Sequence, residues 1–126
     1  MFLPFHIHTK HSVLDGIIDS SKLAKKCKEL NYSHCAITDH GNISGSVDFA
    51  LAMEKEGVIP VFGNEFYCYE KEDERDLKHT VVLAKNLQGW KKLVKLTSLS
   101  NQKFYYKPRI HFDDLVKAYD KDLLIF

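Results

Sequence analysis

The sequence has few cysteines, no long apolar run and almost no net charge, and each shortage closes off a class of protein. Its three cysteines, Cys27, Cys35 and Cys68, are odd in number and lack C-x-x-C spacing, which excludes a disulfide framework and predicts a reducing compartment. The apolar opening Met1-Phe-Leu-Pro-Phe5 is cut off by His6 and His8, far short of a secretory h-region or of the ~20 residues a membrane span needs. A cytoplasmic protein with no membrane partner is expected. Eighteen basic residues against seventeen acidic ones leave a net charge near +1, so the total exerts no pull toward nucleic acid or membrane. Repeats, linkers and low-complexity tracts are missing as well.

What is present, 126 residues with 44% hydrophobic and 28% charged, suits one ordinary globular domain. The charge is unevenly spread. Up to Ala84 there are nine basic residues against thirteen acidic, and from Lys85 onward nine against four, so an acidic half of about −4 joins a basic half of about +5.

Phe2 to His8 reads as a short buried strand that turns Phe5 and Ile7 one way and His6 and His8 the other. After the Asp15-Gly16 turn, Leu23, Cys27 and Leu30 fall at helical spacing behind the cap candidates Ser20 and Ser21. His34 to Thr38 predicts a second strand, ended by the polar turn Asp39-His40-Gly41-Asn42. A helix near Ser44 to Lys55 then stops at Gly57. Val58 to Phe62 predicts a third strand, broken by Gly63 just before Glu65, with Phe66 to Tyr69 continuing extended. Glu70 to Lys78, with one apolar residue in nine, predicts a solvated loop or hairpin tip, and His79 to Ala84 a fourth strand. Asn86 is placed to cap a third helix whose buried stripe is Leu87, Trp90, Val94 and Thr97, or Leu93 and Leu96. Beyond the aromatic and basic stretch Lys103 to Arg109, broken by Pro108, come a short helix from Asp113 to Tyr119 and an apolar run, Leu123 to Phe126. The alternation predicts an α/β fold with a mainly parallel sheet, in which ligands gather at the carboxyl ends of the strands.

Seven histidines are about double ordinary usage, and their placement matters more than their number. His6 and His8 share a strand face, His40 closes the second strand, Glu65 follows the third, and Asp15 lies on the loop leaving the first. Parallel strands would bring these groups to one mouth. A lone histidine is more often a surface or hydrogen-bonding residue than a ligand. A grouped set of imidazoles and carboxylates instead suits Zn²⁺, Mn²⁺ or Fe²⁺, and more than one ion. Two such ions can lower the pKa of a water they share and clamp the attacking and leaving oxygens of a phosphoester. His11, His34 and His111 are not expected to be ligands. His79 begins its predicted strand and falls at the wrong mouth, unless the charged excursion folds back. Asp39 either orients a ligand from behind or caps a turn.

Five segments, Phe5-His-Ile-His-Thr9, Ser12-Val-Leu-Asp-Gly16, Ala36-Ile-Thr-Asp-His-Gly-Asn42, Val61-Phe-Gly-Asn-Glu65 and His79-Thr-Val-Val-Leu-Ala-Lys-Asn86, resemble in order the polymerase and histidinol phosphatase (PHP) domain. With Gly89-Trp90 and Phe104-Tyr-Tyr-Lys-Pro-Arg109, they resemble the form at the N-terminus of bacterial DNA polymerase III alpha subunits. The resemblance implies a distorted (β/α)7 barrel with two or three divalent ions. It carries metal-ligand roles onto His6, His8, Asp15, His40, Glu65 and His79. It also implies metal-dependent 3′→5′ exonuclease proofreading in DNA replication, with DNA and the rest of a replicative polymerase and its replisome as partners.

Three further family ligands, a Cys or His and a late Asp-x-His pair, belong after the position of Phe126. Residues 1–126 are therefore expected to be the N-terminal portion of a PHP domain, a partial barrel with the C-terminal strands absent. An unpaired edge in such a barrel predicts self-association. The alternatives are a histidinol-phosphate-type phosphomonoesterase, with the same metals and a compact anion pocket, and a non-catalytic scaffold or docking module. In the basic half, Lys103, Tyr105, Tyr106, Lys107 and Arg109 interleave aromatic rings with cations. They are candidates to stack bases and neutralise phosphates of a single strand, or else to pack as a surface loop or face the rest of a polymerase.

Overall fold

A computed structural model describes residues 2–126. Among these residues, four helices and five strands follow in the order α1 (Ser20–Glu29), β1 (His34–Ile37), α2 (Ser46–Glu56), β2 (Ile59–Tyr69), β3 (Lys78–Ala84), α3 (Leu87–Gln102), β4 (Ile110–His111), α4 (Phe112–Ala118) and β5 (Leu123–Ile125). The helix reading holds with two changes. Asp19, not a serine, caps α1 by accepting from the amides of Ser21 and Lys22. The buried stripe of α3 is Leu93, Leu96, Thr97 and Ser100, while Leu87 and Val94 are exposed.

The sheet is ordered β1-β2-β3-β5. It is mixed, not mainly parallel: β2 pairs in parallel with β1 and β4, and β3 pairs antiparallel with β2 and β5. The connection decides this. Eight residues, 70–77, separate β2 from β3, too few for the crossover that a parallel neighbour requires, so the chain turns straight back. Both antiparallel ladders belong to the one reversed strand.

Residues Ile59–Tyr69 form an unbroken central strand, so Gly63 does not interrupt it. Glycine stands there because the neighbours crowd in. A Cβ would lie 2.8 Å from the Val82 carbonyl oxygen and 2.9 Å from Thr38 Cγ2. The segment before α1 is likewise not the regular strand its pattern suggests. It runs beside β1, with Ala36 N–H donating to the Pro4 carbonyl and Thr38 N–H to that of Ile7, but the Thr38 hydroxyl takes the Ile7 amide at 2.8 Å. A side chain replaces the next backbone partner, and Pro4 has no N–H to offer.

Alternation sorts the side chains of the sheet. On one face, Cys35 and Ile37 pack with Ala24 and Cys27 of α1 and Phe49 and Met53 of α2, and Phe66, Cys68 and Val82 pack with Leu93 and Leu96 of α3 and Leu115 of α4. Each large side chain buried here contributes about 1.5–3 kcal/mol. On the other face only Ala36, Val81 and Leu83 form a small cluster, with Val61 against it. The sheet curls round this inner face until Phe5, beside β1, stacks on Phe126, just past β5, with ring centroids 4.9 Å apart.

Candidate metal centre

The inner face carries the chemistry where β1 and β2 end. In register, His79 of β3 lies opposite Tyr67 of β2, and Val81 opposite Glu65, so Glu65, Tyr67 and His79 share that face. His40, two residues beyond Thr38, bridges to Glu65, and the segment beside β1 delivers His6 and His8 to the same end. The reversal of β3 thus removes the objection to His79: a strand that begins at this mouth presents its first residues there.

Glu65 is the centre of the group. Its side chain is 4% exposed, and Oε2 lies 3.2 Å from His6 Nε2, 3.0 Å from His8 Nε2 and 3.0 Å from His40 Nδ1. Oε1 meets His79 Nδ1 at 2.9 Å, and His40 Nε2 meets Asp15 Oδ2 at 3.1 Å. All six residues named from the sequence therefore come together. They form three overlapping sets, His6–His8–Glu65, His8–Asp15–His40 and His40–Glu65–His79, in each of which the donor atoms lie within 4.8 Å of one another.

Two features fit these residues to cations. Glu65 Oε2 and His40 Nδ1 are buried without an aligned hydrogen bond, although nitrogen and oxygen atoms crowd around them. His6 Nε2 and His8 Nε2 approach to 3.1 Å. Such a separation is of hydrogen-bond length and is also compatible with the edges of a coordination shell, about 3.0–3.5 Å for bonds of about 2.1 Å. Burial, and then the neighbouring His40, lower the pKa of His8 and favour the neutral ring that a metal requires.

Asp39 takes no direct part. Its buried carboxylate accepts from Thr9 N–H at 2.6 Å, Thr9 Oγ1 at 2.8 Å and Ser12 Oγ at 2.8 Å. Ser12 Oγ in turn accepts from His40 N–H at 3.1 Å and makes a long 3.4 Å contact with His8 Nδ1. The Ser12 proton is committed to Asp39, so its oxygen faces His8 as an acceptor. That selects the tautomer with a proton on Nδ1 and a free lone pair on Nε2.

Thr9, Ser12 and Tyr67 escaped the sequence reading as parts of the site. The first two stand inside the Phe5–Thr9 and Ser12–Gly16 motifs, but spacing alone assigns them no role, because their partner Asp39 lies 30 and 27 residues away. Alternation places Tyr67 with Glu65, and this signal was there to read. Its ring stacks 5.5 Å from His40 and meets His79 edge-on at 4.8 Å, and burial, followed by the charges of Glu65 and Asp15, raises its pKa. The open cleft is about 460 Å³ and includes His11, Asp15, His40, Asn42, Tyr67, His79 and Lys107.

The remaining histidines lie outside the six-residue group. His34 starts β1 beside Ser33, His111 caps α4, and His11 stands at the cleft wall 3.6 Å from Asp48. The candidate single-strand residues divide. Lys107 lines the cleft, while Tyr105 and Tyr106 are exposed. Lys103 is held by Asp114 at 2.6 Å, and Arg109 is buried between Tyr69 and Tyr105 and bound to Glu72, so neither cation is free for phosphate. No helix among the described residues is long and apolar enough to cross a membrane.

Comparison with known proteins adds the following. The family described as PHP domain matches residues 4–126. The DNA polymerase III subunit alpha of Borreliella burgdorferi is 42% identical over 125 residues, covering 92% of this chain and 11% of that protein. Those of Helicobacter pylori and Aquifex aeolicus are each 37% identical and are matched by 98% of this chain, which covers 11% and 12% of their lengths. The chain therefore spans about a ninth of the curated relatives it matches. Among solved structures, an amidohydrolase from Chromobacterium violaceum with bound sulfate and no metal superposes with a TM-score of 0.60 at 20% identity, over 79% of this chain and 33% of that one. A protein named for metal-dependent phosphoesterase activity, from Bifidobacterium adolescentis, gives 0.51 at 18% identity over 94% and 43%. These two likenesses concern the fold.

Proposed function

The chain belongs to the PHP domain family, and on that premise we propose that it is the N-terminal portion of a PHP region at the head of a bacterial-type DNA polymerase III alpha subunit, where it hydrolyses phosphodiesters. The observation that carries this reading is the convergence of five side chains on Glu65 and on one another. Its setting is DNA replication in the cytoplasm, beside the rest of the polymerase and its replisome partners. The curled sheet is a partial barrel.

His6, His8, Asp15, His40, Glu65 and His79 hold two or three divalent ions, Zn²⁺, Mn²⁺ or Fe²⁺. Divalent ions held there would supply Lewis acidity toward water and offset the charge of the phosphoryl oxygens. Glu65, reached by four imidazoles, carries the negative charge that offsets the cations at the floor of the cleft. Asp39 acts behind the ligands, fixing Thr9 and Ser12 and through them the orientation of His8 and the backbone of His40. Asp15, the most exposed of the six, faces the open side, where a strand end enters. Tyr67 packs against both the His40 and the His79 ring, which also meet each other edge-on at 5.5 Å, and covers them on one side.

The test is metal content per chain by elemental mass spectrometry after extensive dialysis, followed by an assay on 3′-labelled single-stranded DNA. Two or more ions and shortening of the strand support the reading. Release of phosphate from monoesters without shortening replaces it with a small-molecule phosphatase. An absence of metal leaves a scaffold.

A further inference from the structure

The turn Tyr105–Pro108 is built more firmly than a surface loop requires. The Tyr105 amide donates to the Lys107 carbonyl at 3.1 Å, and the Arg109 amide to that of Ser100 at 3.1 Å. Pro108 packs where a Cβ on Gly41 would touch it at 3.5 Å, one residue from His40. Tyr106, at the apex, has φ of 60°, a left-handed conformation that is strained for a non-glycine residue. Burial does not offset that strain, because the residue is 86% exposed and its ring rests edge-on against Tyr105, 4.7 Å away.

The cations nearby fall into two kinds. Lys78 is paired with Glu70, Lys103 with Asp114 and Arg109 with Glu72. Lys107 and Arg75 have no carboxylate partner among the described residues, and both are exposed. Lys107 Nζ rests 4.2 Å above the Tyr67 ring, a contact that leaves its three donors available. Lys107 also belongs to two neighbouring cavities, the cleft of the histidine centre and a groove of about 280 Å³ lined by Glu74, Arg75, Leu77, Tyr105, Tyr106 and Arg109. Glu74, the acid in that groove, turns its carboxylate to the amides of Glu70 and Lys71.

We propose that this groove is a subsite for the nucleotide adjoining the bond to be cut, with Lys107 on the phosphate at the junction with the cleft, Arg75 on the next phosphate and Tyr106 stacked on an unpaired base. The proposal rests on the phosphodiesterase reading and goes further by naming the residues that select a strand over a small monoester. A monoester reaches Lys107 alone, whereas a strand also engages Arg75 and Tyr106.

The experiment uses a fluorescein-labelled thymidine pentanucleotide, with anisotropy recorded over a salt series on chain freed of metal by chelation. Lys107→Ala and Arg75→Ala are each expected to weaken binding about tenfold and to reduce the slope of log K against log salt by about 0.7. Tyr106→Ala is expected to weaken binding about tenfold with the slope unchanged. Lys25→Ala, on the exposed face of α1, serves as the control. A wild-type chain that fails to bind, or binding unaltered in the three groove variants, overturns the proposal. Metal uptake is measured separately. Metal without groove-dependent binding refutes this subsite alone, and groove-dependent binding without metal refutes the hydrolytic reading alone.

Discussion

His79 and Glu65, fourteen residues apart in the chain, meet at 2.9 Å because the reversed β3 sets His79 opposite Tyr67 and one step along from Glu65. Glu65 is the shared member of two of the three donor sets, so its loss should be felt by more than one ion. Glu65→Gln is expected to weaken Mn²⁺ or Zn²⁺ binding about 100-fold or more, while His79→Gln, acting on one set, removes a single ion per chain. Calorimetric metal titration with stoichiometry distinguishes the two. Equal stoichiometry in both variants and the parent counts against a shared centre.

Asp39 offers a separate test of positioning. Asp39→Asn removes a buried charge that receives three hydrogen bonds and is expected to destabilise the chain by about 2 kcal/mol in urea unfolding. Metal affinity should fall about tenfold, although no ligand has changed. Ser12→Ala, which disconnects His8 and His40 from Asp39, should reproduce the loss of affinity with a smaller loss of stability.

The parts legible in the sequence were those written locally. Hydrophobic spacing and turn residues placed α1, α2 and α4 to within two residues and the start of α3 behind Asn86, and the grouping of His6, His8, His40 and Glu65 anticipated where they meet. Reversal of β3 was hidden because helix and strand periods carry no direction. Only the length of the 70–77 connection records it: a solvated loop and a hairpin tip look alike in composition, and the fold-back that would bring His79 to the right mouth is the hairpin alternative. Gly63 misled for a different reason: a glycine that breaks a strand and one that admits close neighbours look identical in sequence, and Leu83 and Val82, which crowd it, come from another strand. Arg109 looked like a free cation beside tyrosines because its partner Glu72 lies 37 residues away.

Acid should weaken the metal-free chain. His8 sits below the ordinary histidine value of 6.5, chiefly through burial and then through His40. As the pH falls from the unfolded value toward the folded one, the unfolded chain takes up a proton that the folded chain refuses, so this share of stability is whole above about 6.5 and declines below it. Melting temperatures measured with chelator from about pH 5 to 7.5 should rise with pH, and His8→Gln should flatten the rise. A melting temperature that falls with pH over this interval disproves the assignment.

Gly16 precedes the exposed Ile17 and follows Asp15, and a Cβ there would collide with the Thr9 carbonyl oxygen. Backbone cannot give way as a side chain can. Gly16→Ala is therefore expected to cost about 1–3 kcal/mol and to pull Asp15 from His40, lowering metal stoichiometry. Gly57→Ala, with nothing within 4 Å but φ of 74°, should cost about 1 kcal/mol and leave metal binding intact.

The outer edge of β5 has no strand partner among the described residues, and Phe126, Leu124 and Phe5 are partly exposed around it. Self-association through this edge is expected as a concentration-dependent dimer in sedimentation velocity. Phe126→Glu should return it to monomer without loss of helix signal, and a monomer at every concentration rules the edge out.

The central strand β2 takes hydrogen-bond partners on both sides over much of its length, from β1, the backbone around His40, β3 and β4. Such a strand cannot detach without dismantling nearly every other element, so its amides belong to the last cooperative unit to open. Glu65 stands in it, with its N–H on Asp39 and its carbonyl holding Gly41. In deuterium the Glu65 amide should retain its proton until global unfolding, while the turn bearing Asp15 exchanges early. The cleft then has a permanent floor and a replaceable wall, an arrangement in which ions can enter and leave without melting the protein that binds them.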